Sequence, residues 1–227
     1  MKNHKYLLPI TGLFTATLLI SNTLESKVFA AGPFDLTAGT LIFPLAYIFN
    51  DVLTEVYGYA AARRVIWTGF ASLLLMSAFY HLAIIVPPAD FWAHQDAFAQ
   101  TLGSVPRIVA ASMAAYLAGE FVNSYVLARM KVAFQGRHMA TRFAASTLAG
   151  QFFDTAIFTA LAFAGVYGMA DLLMIGLSMW AAKVLWELAA MPITLYVVRR
   201  IKVAEQEDHY DTNTNFNPFT TKTEIEA

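Results

Sequence analysis

Apolar runs long enough to cross a bilayer constrain this chain more than any other feature. Six blocks follow one another, from about Tyr6 to Leu24, Gly39 to Tyr57, Arg64 to Val86, Pro106 to Met130, Phe143 to Tyr167 and Leu172 to Val198. Each holds about 18 to 25 residues, and roughly 20 apolar residues in a helix cover the ~30 Å hydrocarbon layer. Lipid offers backbone N–H and C=O groups no partner, so such segments must pair their own and are predicted to be helices. The spaces between them are too short for a soluble domain. Composition agrees: 58% of residues are hydrophobic and 14% charged, against roughly 25% charged in a soluble domain.

Lys and Arg placement sets the orientation. With the N-terminus inside, the inner segments hold Lys2, Lys5, Arg63, Arg64, Arg129, Lys131, Arg137, Arg142, Arg199, Arg200, Lys202 and Lys222. The outer segments hold only Lys27 and Arg107. This is a positive-inside bias, and five or seven spans would carry one basic cluster outside. The expectation is therefore an all-α integral membrane protein of six transmembrane helices with both termini cytoplasmic. The membrane domain occupies residues 1–202. Residues 203–227, with Glu205, Glu207, Asp208, Asp211 and then Asn and Thr, are predicted to form a disordered cytoplasmic tail.

Two segments admit rival readings. Lys2 and Lys5, an apolar run and Val28-Phe29-Ala30-Ala31 mimic a cleavable signal peptide. The polar stretch Ser21, Asn22, Thr23, Glu25, Ser26 and Lys27 argues against it, and cleavage would leave five spans. The longest outer segment, Pro87 to Pro106, mixes Phe91, Trp92 and Phe98 with Asp90, His94, Asp96 and Gln100. It is predicted to lie as a short amphipathic helix on the membrane surface, with a lid over an outward-facing cavity as the alternative.

Asp51, Glu55, Glu120, Asp154, Glu187 and Lys183 lie inside the proposed spans. An ionised residue at mid-span costs roughly 2.5–3.5 kcal/mol, so six facing lipid would cost on the order of 15–20 kcal/mol. They must face one another, water or a ligand. Helical spacing supports convergence. Asp51 and Glu55 share a face with Tyr47, near Asn50 and Thr54; Glu120 shares one with Tyr116, Asn123 and Ser124. Thr147, Gln151, Asp154 and Thr155 form a third polar stripe, while Lys183 and Glu187 stand four apart, where side chains meet. Pro44 and Pro192 lie near these stripes and are placed to free backbone carbonyls or bend their helices. Helix glue is the bland explanation, and it suits a single Lys–Glu pair. Four further carboxylates without matching cations favour a functional cavity.

Small residues recur every four positions at Ala111, Ala115 and Gly119, at Ser146 and Gly150, and at Gly12 and Ala16. Such ladders let helices approach closely, and the first two would bring Glu120 near Asp154. The chain has no cysteine, and its five histidines are scattered without a His-Glu-x-x-His pattern, so neither thiol catalysis nor a zinc site is expected. No Gly-rich phosphate loop ends in Lys and Ser or Thr. No cofactor is implied, no enzyme is indicated, and a net charge of −1 gives no reason to expect nucleic acid as a partner.

The residues Phe43-Pro44-Leu45-Ala46-Tyr47, continuing through Asp51 and Glu55 to Tyr57-Gly58, resemble the signature of the queuosine precursor transporters, formerly grouped as vitamin uptake transporters. The resemblance continues through Arg63-Arg64, Arg107, Tyr116, Arg142, Ser146-Thr147, Gly150-Gln151, Asp154-Thr155, Lys183, Glu187 and Pro192, covering about residues 6 to 200. The fourth helix departs from the family pattern, with Glu120 and Asn123 where Gln and Asp are usual. The resemblance implies a bacterial inner-membrane importer of 7-cyano-7-deazaguanine and 7-aminomethyl-7-deazaguanine, salvaged to make queuosine in tRNA. The residues suit such a ligand. A carboxylate accepts the N1–H and exocyclic amine in parallel; Tyr47, Tyr116 and Trp180 offer aromatic faces; Arg107 and Lys183 are candidates for O6 or a carboxylate. The candidate binding set is Tyr47, Asp51, Glu55, Arg107, Tyr116, Glu120, Asn123, Gln151, Asp154, Lys183 and Glu187. The alternative is the substrate-binding subunit of an energy-coupling-factor importer, docked through a face such as that of Gly12 and Ala16. The expected partners are the deazapurine and the lipid membrane; a homo-oligomer or an energising partner is left open.

Overall fold

The computed structural model of the chain describes residues 4–24, 27–31, 34–42, 44–103, 106–165 and 168–220. Seven α-helices form the frame: α1 Leu7–Leu24, α2 Pro44–Val52, α3 Tyr59–Ile85, α4 Gln95–Leu102, α5 Pro106–Ala133, α6 Met139–Phe163 and α7 Met169–Glu205. Three of them are long and apolar enough to cross a membrane, over Leu7–Leu24, Tyr59–Ile85 and Leu172–Glu205. Between α1 and α2 the chain makes a short antiparallel hairpin, β1 Val28–Ala31 with β2 Phe34–Thr37, in the register Val28↔Thr37 and Ala31↔Phe34. The segment that mimics a cleavage site is thus a strand, an element that the helical expectation lacked.

The second apolar block is not one continuous span. A 3₁₀ turn, Ala38–Leu41, precedes α2, and α2 passes directly into a π-helical turn, Leu53–Tyr57. Pro44 is the first residue of α2, a position where its missing N–H is no loss. Gly58, at φ 84°, ends the π turn and turns the chain into α3. From Pro44 to Tyr57 the helix rises only about 21 Å, short of the hydrocarbon thickness. Its polar residues explain why it needs no lipid contact: Asn50, Asp51, Thr54 and Glu55 are all buried inside the protein.

The outer faces are apolar, and many polar side chains lie inside beside the apolar core. Leu74, Leu75, Phe79 and Leu82 of α3 and Leu173, Leu177, Leu185 and Ile193 of α7 are exposed, while Glu120, Arg142, Ser146 and Gln151 are buried. A water-soluble domain would reverse this arrangement. Phe14 and Leu18 of α1 pack on α3 at Gly69, where an added Cβ would stand 2.8 Å from Leu18 and 3.0 Å from Phe14. The contact between α5 and α6 is closer still. A Cβ on Gly119 would lie 2.7 Å from that of Asp154, and one on Gly150 would lie 2.8 Å from that of Asn123. The small-residue ladders therefore do bring these two polar stripes together. The ladder on α1 does not pack inside, for a Cβ on Gly12 meets open space.

After Pro87 the chain forms the short exposed α4, tied back to α3 by a 2.8 Å bond from Gln95 Nε2 to the Ile84 carbonyl. The C-terminal segment differs from its composition. Instead of leaving the fold, residues 206–220 run along the start of α3. The His209 N–H bonds the Val56 carbonyl at 3.1 Å, and both oxygens of the Asp211 carboxylate accept from the Tyr59 N–H at 3.1 Å. Arg63 donates to the carbonyls of Asn215 and Asn217 at 2.7 Å, and the Trp67 indole donates to that of Pro218 at 2.7 Å. Glu205 in turn accepts from the backbone N–H groups of Lys5, at 3.1 Å, and Tyr6, at 2.6 Å. The start of α1 and the end of α7 therefore lie at the same end of the molecule.

Candidate functional site

The buried acids divide into two groups. At the end shared by the two termini, Glu55 is fully buried and meets three cations. Arg142, itself fully buried at the start of α6, donates to both Glu55 oxygens, with Nη2 at 2.9 Å from Oε1. Lys202 reaches Oε1 at 2.6 Å, while Lys131 donates to the Glu55 carbonyl at 2.5 Å and lies 3.8 Å from the carboxylate. Asp208 of the tail closes the group, 2.5 Å from Lys131 and 2.8 Å from Lys202. Partial burial alone would push the Asp208 carboxyl up, but the hydrogen bonds from Lys131 and Lys202 outweigh it and hold it below the ordinary carboxylate range. From the sequence, Lys131 and Lys202 served only as markers of orientation, and Arg142 as such a marker and as part of the family resemblance. Here Arg142 and Lys202 fill three of the roughly four acceptor positions of the Glu55 carboxylate, and Lys131 bonds its backbone carbonyl.

Deeper between α2, α5, α6 and α7 lies the second group. Asp51 accepts from Asn123 Nδ2 at 3.0 Å. Glu187 accepts from the Thr147 hydroxyl at 2.6 Å and from Gln151 Nε2 at 3.0 Å. Lys183 pairs with Asp154 of α6 rather than with Glu187, its neighbour one turn along α7. Glu120 has Asp51, Asp154 and Glu187 as electrostatic neighbours, and Tyr47 and Tyr116 both neighbour Glu120 and Asp154. Behind it a neutral network, Asn50 Nδ2 and Thr54 Oγ1 each bonded to Ser124 Oγ at 3.1 Å, fixes α2 against α5. The structure thus gathers Tyr47, Asp51, Tyr116, Glu120, Asn123, Gln151, Asp154, Lys183 and Glu187 and engages Glu55 elsewhere. Arg107 stands in the first turn of α5 with its side chain outside the described residues, as is Phe43. Trp180 bonds the Leu148 carbonyl at 3.3 Å across the α6–α7 contact.

Such a cluster, acidic and amide-lined inside an apolar exterior, offers mainly acceptors, a lining suited to hydrogen-bond donors. Among the described residues no group of acids or histidines is arranged to hold a metal ion. The family model described as "Putative vitamin uptake transporter" matches residues 37–197. The chain belongs to this family. The matched stretch contains every residue of the cluster and stops short of the tail. Among curated proteins the chain is similar to the Bacillus subtilis (strain 168) "Probable queuosine precursor transporter", 33% identical over 69% of each chain. It is 31% identical to the Escherichia coli (strain K12) "Queuosine precursor transporter" over 57% of this chain and 56% of that one. A Haemophilus influenzae "Probable queuosine precursor transporter" is 30% identical over 61% of this chain and 55% of its own. The chain thus spans little more than half the length of the last two. No solved structure matches it. Membership of the vitamin uptake transporter family makes the buried cluster a candidate substrate site and the chain a membrane transporter.

Proposed function

We propose that this chain imports queuosine precursors, 7-cyano-7-deazaguanine and 7-aminomethyl-7-deazaguanine, across the bacterial inner membrane. The observation that carries this reading is the central cluster, four carboxylates and two amides packed among helices whose outer faces are apolar. A deazaguanine offers that cluster an N1–H and an exocyclic amine, and the aminomethyl form adds a cation. The site residues are nearly sealed from solvent, so this arrangement is an occluded one, and loading or release needs the helices around it to part. Six crossings with both ends cytoplasmic remain the topology that we favour. Support comes from the contact between Glu205 and the start of α1, which requires an even number of crossings. Lys131, Arg142 and Lys202 converge on Glu55 at that same end, as inner-face residues should.

Reconstitution tests the reading. The purified chain alone, in liposomes, should accumulate labelled 7-cyano-7-deazaguanine above protein-free liposomes. A subunit that relies on a separate ATPase would bind the label without moving it, and that outcome would replace the transporter with the energy-coupling-factor alternative.

A further inference from the structure

The hydrogen-bond inventory of the central cluster is lopsided. Three of its carboxylates have partners: Asn123 for Asp51, Lys183 for Asp154, and Thr147 with Gln151 for Glu187. Glu120 is 0% exposed, and neither of its oxygens makes a hydrogen bond of ordinary geometry; the Asn50 amide lies beside it but is bonded to Ser124 Oγ at 3.1 Å. Asn123 Oδ1, Gln151 Oε1 and the hydroxyls of Tyr116 and Thr155 are buried and unbonded as well. An ionised carboxylate and an amide carbonyl can only accept. The buried atoms of the cluster that lack any bond are thus four acceptor oxygens and two hydroxyls that turn either way, and no nitrogen of the cluster is among them.

The amide orientations follow from their partners. Asn123 and Gln151 each turn the NH2 end toward an acid, bonding Asp51 and Glu187 respectively, so their oxygens point away from those two carboxylates. Asp51 and Glu187 are therefore positioning residues that aim two carbonyls, while Glu120 supplies the unspent carboxyl oxygens. The groups facing Glu120 are Asn50 and Asp51 on α2, Asp154 on α6 and Glu187 on α7. Tyr47 and Tyr116 lie beside it, and Lys183 is occupied by Asp154. Buried acceptors without donors are costly and persist where a ligand fills them. Among the described residues no metal-ligand grouping occurs, so a ligand with several donors along one edge fits better than a bare cation.

We infer that Glu120 reads the substrate, its carboxylate accepting the N1–H and one 2-amino hydrogen of a guanine-like ring while Asn123 or Gln151 accepts the other. The inference rests on the deazaguanine reading above and singles out one acid where the sequence offered five. It also ranks analogues by the donors they keep rather than by their size.

Binding to the full chain in lipid nanodiscs tests it, with 7-cyano-7-deazaguanine and its 2-desamino analogue as probes. Wild type is expected to bind the analogue about ten- to a hundredfold more weakly than the parent. Glu120→Gln keeps the shape but turns a donor toward the ligand's donors. It is expected to weaken parent binding about ten- to a hundredfold and to erase most of the discrimination. Glu120→Asp keeps the charge and should keep the discrimination. Parent binding by Glu120→Gln at wild-type strength, or weakened binding with undiminished discrimination, overturns the inference. A second measurement needs no variant: equal wild-type affinity for the parent, the 2-desamino and the N1-methyl analogues also overturns it. If wild type binds no deazaguanine, the proposed function falls and the inference with it. Parent binding that ignores Glu120 removes the inference alone.

Discussion

Removing the charge of Glu55 should be the most damaging conservative change in this chain. Glu55 and Arg142 are both fully buried, and Arg142 bonds both carboxylate oxygens. In Glu55→Gln, Arg142 keeps the carbonyls of Arg137, at 3.0 Å, and Gly136, at 3.2 Å, and at most the one amide oxygen of the new side chain, and its charge has lost its carboxylate. Lys131 and Lys202 retain Asp208. Breaking a buried pair by removing one partner costs about 3–5 kcal/mol. For a chain of this size each kcal/mol moves the thermal midpoint by about 2–4 °C. The midpoint should therefore fall by roughly 6–20 °C. Arg142→Met should cost less, because Lys202 at 2.6 Å still neutralises Glu55. The double variant Glu55→Gln/Arg142→Met should cost less than the sum, since each change removes the charge that the other strands. The fluorescence of the four tryptophans reports unfolding of the purified protein in mild detergent. A larger loss for Arg142→Met than for Glu55→Gln, or no loss for either, would refute the reasoning.

Further outcomes follow from the same contacts. Gly119→Ala should cost about 1–3 kcal/mol, because its Cβ would meet that of Asp154 at 2.7 Å; the same fluorescence assay measures it. Reporter fusions after Arg64, near Arg137 and after Lys202 should report cytoplasm, and those near Gly32, Gln95 and Gly168 the outside. A cytoplasmic signal at Gln95 would overturn six spans. The tail should be ordered, so a spin label on Asn213→Cys, unique in a chain without cysteine, should be less mobile than in the same protein carrying Asp208→Asn and Asp211→Asn. The Asp208 carboxyl is held below its ordinary range, so its contribution to tail docking is complete above that range. That contribution is lost as pH falls through the depressed value, and label mobility should rise there.

The helices were legible because lipid imposes length and composition on them. Their boundaries in α3, α5 and α7 fall within a few residues of the apolar blocks, except that α7 continues past Val198 to Glu205 and α3 begins at Tyr59. The interruption at α2 was less visible. Pro44 announced a helix start, but nothing in Leu53–Tyr57 marks a π turn, which is set by how Glu55 and Val56 must meet Arg142 and the tail. Convergence of the polar stripes was readable from the three- and four-residue spacings on each helix. Pairing was not. Spacing alone joins Lys183 to Glu187, whereas the close α6–α7 contact gives Lys183 to Asp154. The tail was misread for a physical reason: it holds through backbone carbonyls and Asp211, which serve groups at the start of α3, and through Asp208, which pairs with Lys131 and Lys202, and composition does not record such needs.

Queuosine in tRNA measures the central claim most directly. Bacterial cells that cannot make the precursor, and that lack their own transporter, are given this chain or an empty vector at low external 7-cyano-7-deazaguanine. With the chain present, tRNA queuosine should reach wild-type levels at precursor concentrations that leave the vector control unmodified. Equal tRNA queuosine in both strains, with the chain shown to be inserted in the membrane, would contradict the assignment of this protein as a queuosine precursor importer.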